Sequence, residues 1–381
     1  MKIAIIGQGY VGRSIAEAAI GAGHSVVGFD TNSDVTSALN ITGNYKSTTD
    51  AALIGDAEVI VIAVPTPLDS KRRPDLSAVN DACKTIIKNI KKQTLVINES
   101  TSYPGTLRNQ IAAVIENACG LKHLYAVSPE RVDPGNKNWT QKNTPRLLAG
   151  LTPEATALAR TFYSSFCDEI LEVSTPEVAE AAKLFENTFR QVNIALVNEF
   201  AQISDALNVP TREVLDAAAT KPFGFMSFQP GPGVGGHCIP VDPTYLAHVA
   251  EGAGVPAEFI THANEVNLGM PAYVVSRVAK DFGSLKAKKI VVVGVAYKAN
   301  VTDTREAPAA LVISELQKLG AEVSWHDPVV KNWNNQSSCD LKGFDAAIVV
   351  TKHAVVSEAD IKACAPYVFD CTGTIKGVAG L

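Results

Sequence analysis

The chain has 381 residues, 46% of them hydrophobic, with 34 basic and 39 acidic side chains for a net charge of −5. That length exceeds what one core holds, so two or three domains are expected. With no block of like charge and no run of about 18 apolar residues, neither nucleic acid nor a membrane is an expected partner, which leaves a small molecule.

Seven cysteines, at 83, 119, 167, 238, 339, 364 and 371, form an odd set without a C-x-x-C pair. This argues against a disulfide framework and a structural zinc site, and fits a reducing cytoplasm. Met1-Lys-Ile-Ala-Ile-Ile-Gly enters a strand-like run directly, so no export signal is expected.

Lys2 to Ile6 reads as a strand, Gly7-Gln-Gly9-Tyr10-Val11-Gly12 as a tight turn, and Arg13 to Ala22 as a helix. A second strand, Ser25 to Phe29, ends at Asp30, 18 residues after Gly12. In a dinucleotide site Gly7 makes the turn, Gly9 lets a pyrophosphate approach the backbone, and Gly12 lets helix pack on strand. Asp30 suits a ribose hydroxyl and repels a 2′-phosphate, which favours NAD over NADP. Strands at Val59 to Val64, Thr94 to Ile97, Leu124 to Val127 and Arg146 to Ala149, with helices between them, predict a doubly wound parallel sheet. Ligands bind beyond the carboxyl ends of such strands, where Val64-Pro65-Thr66-Pro67, Glu99-Ser-Thr101 and Ser128-Pro-Glu130-Arg131 lie. Each is also compatible with ordinary turn chemistry.

Thr175-Pro-Glu177 opens a long helix with an N-cap, a proline at its first position and an acid in its first turn. Val178, Ala182, Phe185, Phe189, Val192, Leu196, Phe200, Ile203 and Leu207 recur every three or four residues, so that stripe is expected to be buried. Lys183 and Asn187, four apart, fall on the other side, either as a solvated face or lining a cleft. Pro230-Gly-Pro-Gly-Val-Gly-Gly-His-Cys-Ile-Pro-Val-Asp-Pro243 then places Cys238 in a segment that no helix or strand tolerates. Cys238 is either a chemical thiol, with Asp242 four residues on, or a buried structural cysteine. A metal site from His237, Cys238 and Asp242 is not expected, because adjacent side chains point apart and no further ligand cluster is in view.

Beyond a mainly helical stretch from Pro243 to about Asp281, the opening pattern returns. Strands are predicted at Lys289 to Gly294, Val323 to Asp327, Phe344 to Thr351 and Tyr367 to Asp370, with a helix from Ala307 to Leu319. Gly294-Val-Ala-Tyr-Lys298 replaces the glycine fingerprint, so a second dinucleotide is not expected here. Lys298, Asp303 and Arg305 follow, either receiving a phosphate or forming a surface ion-pair group.

These motifs together resemble the UDP-glucose/GDP-mannose dehydrogenases, the nucleotide-sugar 6-dehydrogenase family, across almost the whole chain. The resemblance rests on Gly7-x-Gly-x-x-Gly12, Val64-Pro-Thr-Pro67, Glu99-Ser-Thr101, Ser128-Pro-Glu-Arg131, Lys183-x-x-x-Asn187, Gly233-Val-Gly-Gly-His-Cys-Ile-Pro-Val-Asp242 and Lys298-x-Asn-x-x-Asp-x-Arg305. His237 before the cysteine, Ile239-Pro240 after it, Lys221-Pro-Phe-Gly-Phe-Met226 and Asp133-Pro-Gly-Asn136 resemble the branch acting on UDP-N-acetylglucosamine or UDP-N-acetylmannosamine rather than UDP-glucose. Three departures stand out: the family's Glu-Pro-Gly-Leu element is missing between Asp30 and Val59, Asp370-Cys-Thr-Gly373 lacks an arginine, and Gln229 replaces an aromatic.

The resemblance implies two Rossmann-like doubly wound α/β domains joined by a long central helix and a small helical domain. The expected bounds are an NAD-binding domain at 1–174, a helical dimerisation domain with the cysteine loop at 175–283, and a UDP-binding domain at 284–381. It implies a cytoplasmic homodimer that oxidises a UDP-sugar with two NAD+ for polysaccharide biosynthesis. Cys238, Lys183, Asn187, Asp242, Glu130 and Thr101 are the implied catalytic set. Gly7, Gly9, Tyr10, Val11, Gly12, Asp30, Pro65, Thr66, Thr101 and Arg305 would hold NAD. Glu130, Arg131, Lys183, Asn187, Phe228, Gly233, Gly235 and Lys298 would hold the sugar nucleotide. The alternatives are a UDP-glucose 6-dehydrogenase of the same family and a two-electron hydroxyacid dehydrogenase of related fold.

Overall fold

The computed structural model describes residues 1–39, 41–133, 135, 136 and 138–381, so Pro134 of the Asp133-Pro-Gly-Asn136 motif lies outside the described residues. It divides into two compact units, Met1–Glu186 with Thr244–Val255, and Asn187–Pro243 with Pro256–Leu381. Among the described residues, no helix is long and apolar enough to cross a membrane.

The first unit contains β1 (Lys2–Ile6), α1 (Tyr10–Gly21), β2 (Ser25–Phe29), α2 (Ser33–Ala38), β3 (Tyr45–Thr48), β4 (Val59–Ile62), α3 (Ser77–Asn89), β5 (Leu95–Asn98), α4 (Ala113–Cys119), β6 (Leu124–Val127), β7 (Arg146–Gly150), α5 (Pro153–Tyr163) and β8 (Ile170–Glu172). Its sheet runs β3-β2-β1-β4-β5-β6-β7-β8. Val59 to Ile62 and Leu95 to Ile97 are fully buried, as continuous apolar runs must be when helices cover both faces of a sheet. The expectation of an all-parallel sheet needs one correction, because β6 and β7 pair antiparallel. Sequence reading also missed β3 and β8. Tyr45-Lys-Ser-Thr and Ile170-Leu-Glu are short, partly polar edge segments that only their neighbours recruit.

The chain continues through α6 (Pro176–Ala206), α7 (Thr211–Ala219), α8 (Asp242–Gly252) and α9 (Glu258–Phe282). It then forms β9 (Lys289–Val293), α10 (Pro308–Lys318), β10 (Glu322–His326), β11 (Asn332–Trp333), β12 (Gln336–Ser337), β13 (Ala346–Val349), α11 (Glu358–Cys364), β14 (Tyr367–Asp370) and β15 (Ala379–Gly380). A parallel sheet β10-β9-β13-β14-β15 carries the second unit, packed on Val274, Val275 and Val278 of α9 and Val312 and Leu316 of α10.

Helix α6 has the expected length, but its faces are inverted. Ala179, Leu184, Thr188, Gln191, Ala195, Asn198, Ala201 and Ser204 are the buried side, whereas Phe185 is 65% exposed, Leu196 63% and Leu207 66%. Periodicity finds an apolar stripe but not which way it faces, and here much of the stripe stays exposed. The inward face is mixed, with Leu184 and Val197 beside small and amide residues and a buried Glu180 that accepts from the Gly105 and Leu107 N–H groups.

Candidate active site

The glycine turn sits between β1 and α1, where the strand order reverses and β4 adjoins β1, the position at which open α/β sheets bind ligands. Gly7 has φ +93°, and a Cβ there would lie 2.4 Å from Ala63 O. A Cβ on Gly12 would lie 1.9 Å from Gly7 O, so this position admits no side chain. By contrast, nothing stands within 4 Å of a Cβ on Gly9, the N-cap of α1. The space at Gly9 therefore faces out of the protein, at a helix N-terminus that favours a negatively charged group.

Asp30 follows β2 and accepts from the Gln8 N–H at 2.8 Å and the Asn32 N–H at 2.9 Å while remaining partly exposed. The open approach at Gly9 and this carboxylate fit the pyrophosphate and ribose of NAD. Tyr10 opens α1 half exposed, and Val11 packs on the sheet core. Pro65 is exposed and Thr66 buried, the Thr66 carbonyl accepting from Tyr245 Oη at 3.1 Å. Thr101 is partly buried beyond β5.

Beyond β6, Glu130 is buried in a polar cradle. It accepts from the Arg131 N–H at 2.7 Å, the Val132 N–H at 2.6 Å and Gln141 Nε2 at 2.5 Å, with Arg146 Nη2 at 3.6 Å. Burial opposes its ionisation, but Arg146, these donors and Lys183 outweigh that and hold its carboxyl below the usual range. Arg146, 5% exposed, also pairs with Glu99 Oε1 at 3.0 Å and lies 4.4 Å from the centre of the Tyr163 ring. Glu99, hydrogen-bonded by Tyr163 Oη, is pushed up to about 7, chiefly by burial.

Glu99 stood in the Glu99-Ser-Thr101 candidate, but its partners Arg146, Gln141 and Tyr163 were not anticipated. The available signal was a lone arginine opening the apolar strand Arg146-Leu-Leu-Ala, since an arginine inside a sheet needs a buried carboxylate. Arg131 points away from Glu130, pairing with Glu186 of α6 at 2.8 Å and donating to Pro145 O at 2.7 Å.

In the second unit the cysteine loop runs between α7 and α8. Cys238 is exposed, which removes the reading of a buried structural cysteine. Burial pushes the Cys83 thiol up to about 12 and the Cys364 thiol to about 11, so those two are held protonated. The Cys238 carbonyl accepts from the Asp242 N–H at 2.9 Å, closing the turn that starts α8 with Asp242 as its first residue. Asp242 is fully buried, and Asn187 Nδ2 donates to its Oδ2 at 2.6 Å. Burial, then the nearby Arg305, lower His237, which stays a neutral imidazole at pH 7.

Tight contacts fix the loop's glycines. A Cβ on Gly235 would meet Tyr297 Cβ at 2.8 Å and Glu306 O at 2.9 Å, and one on Gly236 would meet the Tyr297 ring at 2.8 Å. The Gly236 N–H donates to Arg305 O at 3.0 Å. The Arg305 guanidinium is engaged by Asp303 at 2.6 Å and interacts electrostatically with Cys238. Lys298 is partly buried in the same β9–α10 connection, and Phe228 packs edge-on against Phe189.

A doubly wound α/β sheet with this glycine turn and acid, on a chain that also carries a cysteine loop, defines an NAD-dependent oxidoreductase. The chain matches three domains of one family: the NAD binding domain over residues 34–167, the central domain over 177–268 and the UDP binding domain over 291–377. It belongs to the UDP-glucose/GDP-mannose dehydrogenase family.

Among its relatives, protein CapL of Staphylococcus aureus is 37% identical over 86% of this chain and 82% of that protein. UDP-N-acetyl-D-glucosamine 6-dehydrogenase of Pseudomonas aeruginosa is 36% identical over 87% and 83%. The solved structure of UDP-D-ManNAc dehydrogenase from Pyrococcus horikoshii superposes with a TM-score of 0.89 at 31% identity, covering 100% of this chain and 99% of that one. The protein is thus an NAD-dependent UDP-sugar dehydrogenase.

Proposed function

We propose that this enzyme oxidises the C6 hydroxyl of UDP-N-acetylglucosamine or UDP-N-acetylmannosamine to the carboxylate, releasing four electrons per sugar through a thioester on Cys238. The observation that carries this reading is the exposed Cys238 thiol on a glycine loop whose turn ends at Asp242, itself bonded to Asn187. The names of the N-acetylglucosamine and N-acetylmannosamine enzymes among its relatives support the substrate class.

NAD+, when bound at the Gly7–Gly12 turn and Asp30, accepts the hydride leaving C6, and one is consumed in each oxidation. In the first oxidation Asp242, with a water and Lys183, takes the hydroxyl proton and an aldehyde forms. The Cys238 thiolate then adds to that aldehyde, and Lys183 and Asn187 stabilise the resulting oxyanion. Loss of a second hydride from C6 leaves the thioester. Glu130, with Thr101 holding a water, activates the water that adds to the thioester carbonyl and returns the thiol. Arg146 and backbone N–H groups hold the Glu130 carboxyl ionised, the form that accepts a hydrogen bond from that water and orients it.

Lys298 is proposed to receive the diphosphate, with Arg131, Phe228, Gly233 and Gly235 lining the sugar nucleotide and Pro65, Thr66 and Arg305 contributing to the cofactor site. The exposed stripe of Phe185, Phe189, Leu196, Ile203 and Leu207 on α6 supports a homodimer formed through that helix. Cytoplasmic work on surface-polysaccharide precursors completes the proposal.

The test is Cys238→Ser assayed with NAD+ against UDP-N-acetylglucosamine, UDP-N-acetylmannosamine and UDP-glucose. The parent protein is expected to form two NADH per sugar with one of the first two, and the variant to lose acid formation. Two NADH per sugar at undiminished rate in the variant would remove the covalent route. Preference for UDP-glucose would move the substrate to the alternative within the family.

A further inference from the structure

Two buried carboxamides lie beneath the cysteine loop and take no part in the chemistry above. Asn198 of α6 is 0% exposed and Asn267 of α9 is 1% exposed. Asn198 Oδ1 accepts from the Gly231 N–H at 2.9 Å, and its Nδ2 donates to Asn267 Oδ1 at 2.9 Å. Asn267 Nδ2 donates in turn to Gln191 O at 3.2 Å. Each carboxamide thus uses one oxygen and one nitrogen, and both orientations are fixed by a backbone group at the end of the chain of bonds, Gly231 N–H at one end and Gln191 O at the other.

A second feature of α9 faces the same loop. Pro271 lies inside that helix and has no N–H to offer the carbonyl four residues earlier, which is Asn267. A Cβ on Gly233, at φ +122°, would lie 3.0 Å from that same Asn267 O and 3.8 Å from Pro271 Cδ. The loop therefore rests on α9 at the turn where proline interrupts the helical ladder.

We propose that Asn198, Asn267 and Pro271 form a cradle that positions the glycine loop and thereby sets where the Cys238 thiol stands. These are positioning residues, acting through Gly231 and Gly233 rather than touching the sugar. The inference rests on the reading of Cys238 as the acylated residue for its functional meaning, but its direct readout, the reactivity of one thiol, does not.

Pro271→Ala separates positioning from stability. Restoring an N–H inside α9 lets Asn267 O return to the helical ladder, so the helix gains a bond and its melting temperature holds or rises. A merely structural proline therefore predicts unchanged or faster turnover. The cradle predicts the opposite: alkylation of Cys238 by iodoacetamide, followed peptide by peptide with mass spectrometry, slows about tenfold, and kcat falls with it while the Kd for NAD is unchanged, as expected when a reacting group is misplaced.

Asn198→Asp gives the same direction, because a carboxylate accepts from Gly231 but cannot also donate to Asn267. In the unaltered protein the Gly231 amide is expected to exchange slowly with solvent deuterium, because Asn198 Oδ1 accepts its N–H. Alkylation and kcat within twofold of the parent in folded Pro271→Ala overturn the cradle, as does a Gly231 amide that exchanges as fast as an exposed loop. Should Cys238→Ser retain full turnover, the acylation reading fails by itself, since the alkylation rates still report on the cradle.

Discussion

The chain builds a strand, turn and strand-ending acid twice, and the two copies have opposite uses. After β1, Gly7 at φ +93° turns against Ala63 O; after β9, Gly294 at φ +86° turns against Thr351 O, where a Cβ would lie 1.9 Å away. The first glycine does one job in both units, letting two strands' connections pass in contact. From there they diverge. At the positions of Gly9 and Gly12 the second copy has Ala296 and Ala299, and no helix begins until Pro308.

The acids diverge too. Asp30 stays partly exposed with two N–H donors, whereas Asp327 is 0% exposed and accepts from the N–H groups of Val295, Ala296, Val329 and Val330 and from His353 Nε2 at 2.9 Å. His353 Nδ1 accepts from the Asn300 N–H at 2.9 Å, which fixes the proton on Nε2 and makes the imidazole the donor to Asp327. In both units the N–H after the first glycine and the N–H two residues past the acid go to the carboxylate; the second unit adds the Ala296 and Val330 N–H groups and His353. The difference is one of degree: Asp30 keeps part of its surface open, whereas Asp327 is enclosed by donors of its own unit.

The largest expected effect comes from exchanging the glycines. Gly12→Val puts a side chain into Gly7 O and is expected to abolish NAD binding and unfold the first unit, a cost above about 4 kcal/mol. Ala299→Gly, at the matching place in the second unit, is exposed and should change stability by less than about 1 kcal/mol. Equal melting temperatures for the two variants would dissolve the comparison.

Next in size is Asp327→Asn, which turns an amide toward donors and should destabilise by about 3 kcal/mol without altering the Kd for NAD. Burial opposes ionisation of Asp327, but His353 and the backbone N–H groups prevail and push its pKa down from 3.8 to about 2. A carboxylate so depressed stabilises the fold above its unfolded pKa and ceases to do so as pH falls from about 4 to about 2. The parent should therefore lose about 2 kcal/mol over that window, a slope absent from Asp327→Asn in acid titrations followed by circular dichroism.

The smallest effect is at the exposed acid. Asp30→Ala should leave the melting temperature nearly unchanged and raise the Kd for NAD about tenfold, or about 1.4 kcal/mol, by calorimetry. Unchanged affinity would remove Asp30 from the cofactor site.

Sequence alone determined the elements whose cause is local. The turn at Gly7, the exclusion at Gly12, the acid after β2, the length of α6 and the loop around Cys238 all follow from residue types at fixed spacing, because φ/ψ limits and the 3.6-residue period act along the chain. Tertiary structure decided what depends on neighbours distant in sequence. Whether the aromatic stripe of α6 faces inward, whether β3 and β8 join the sheet, and which strand end carries a buried Arg146 between Glu99 and Glu130 are settled by which surfaces meet. The second acid shows the reason most plainly: Asp327 reads like Asp30 in the sequence, and only the fold brings His353 and four backbone N–H groups to satisfy it.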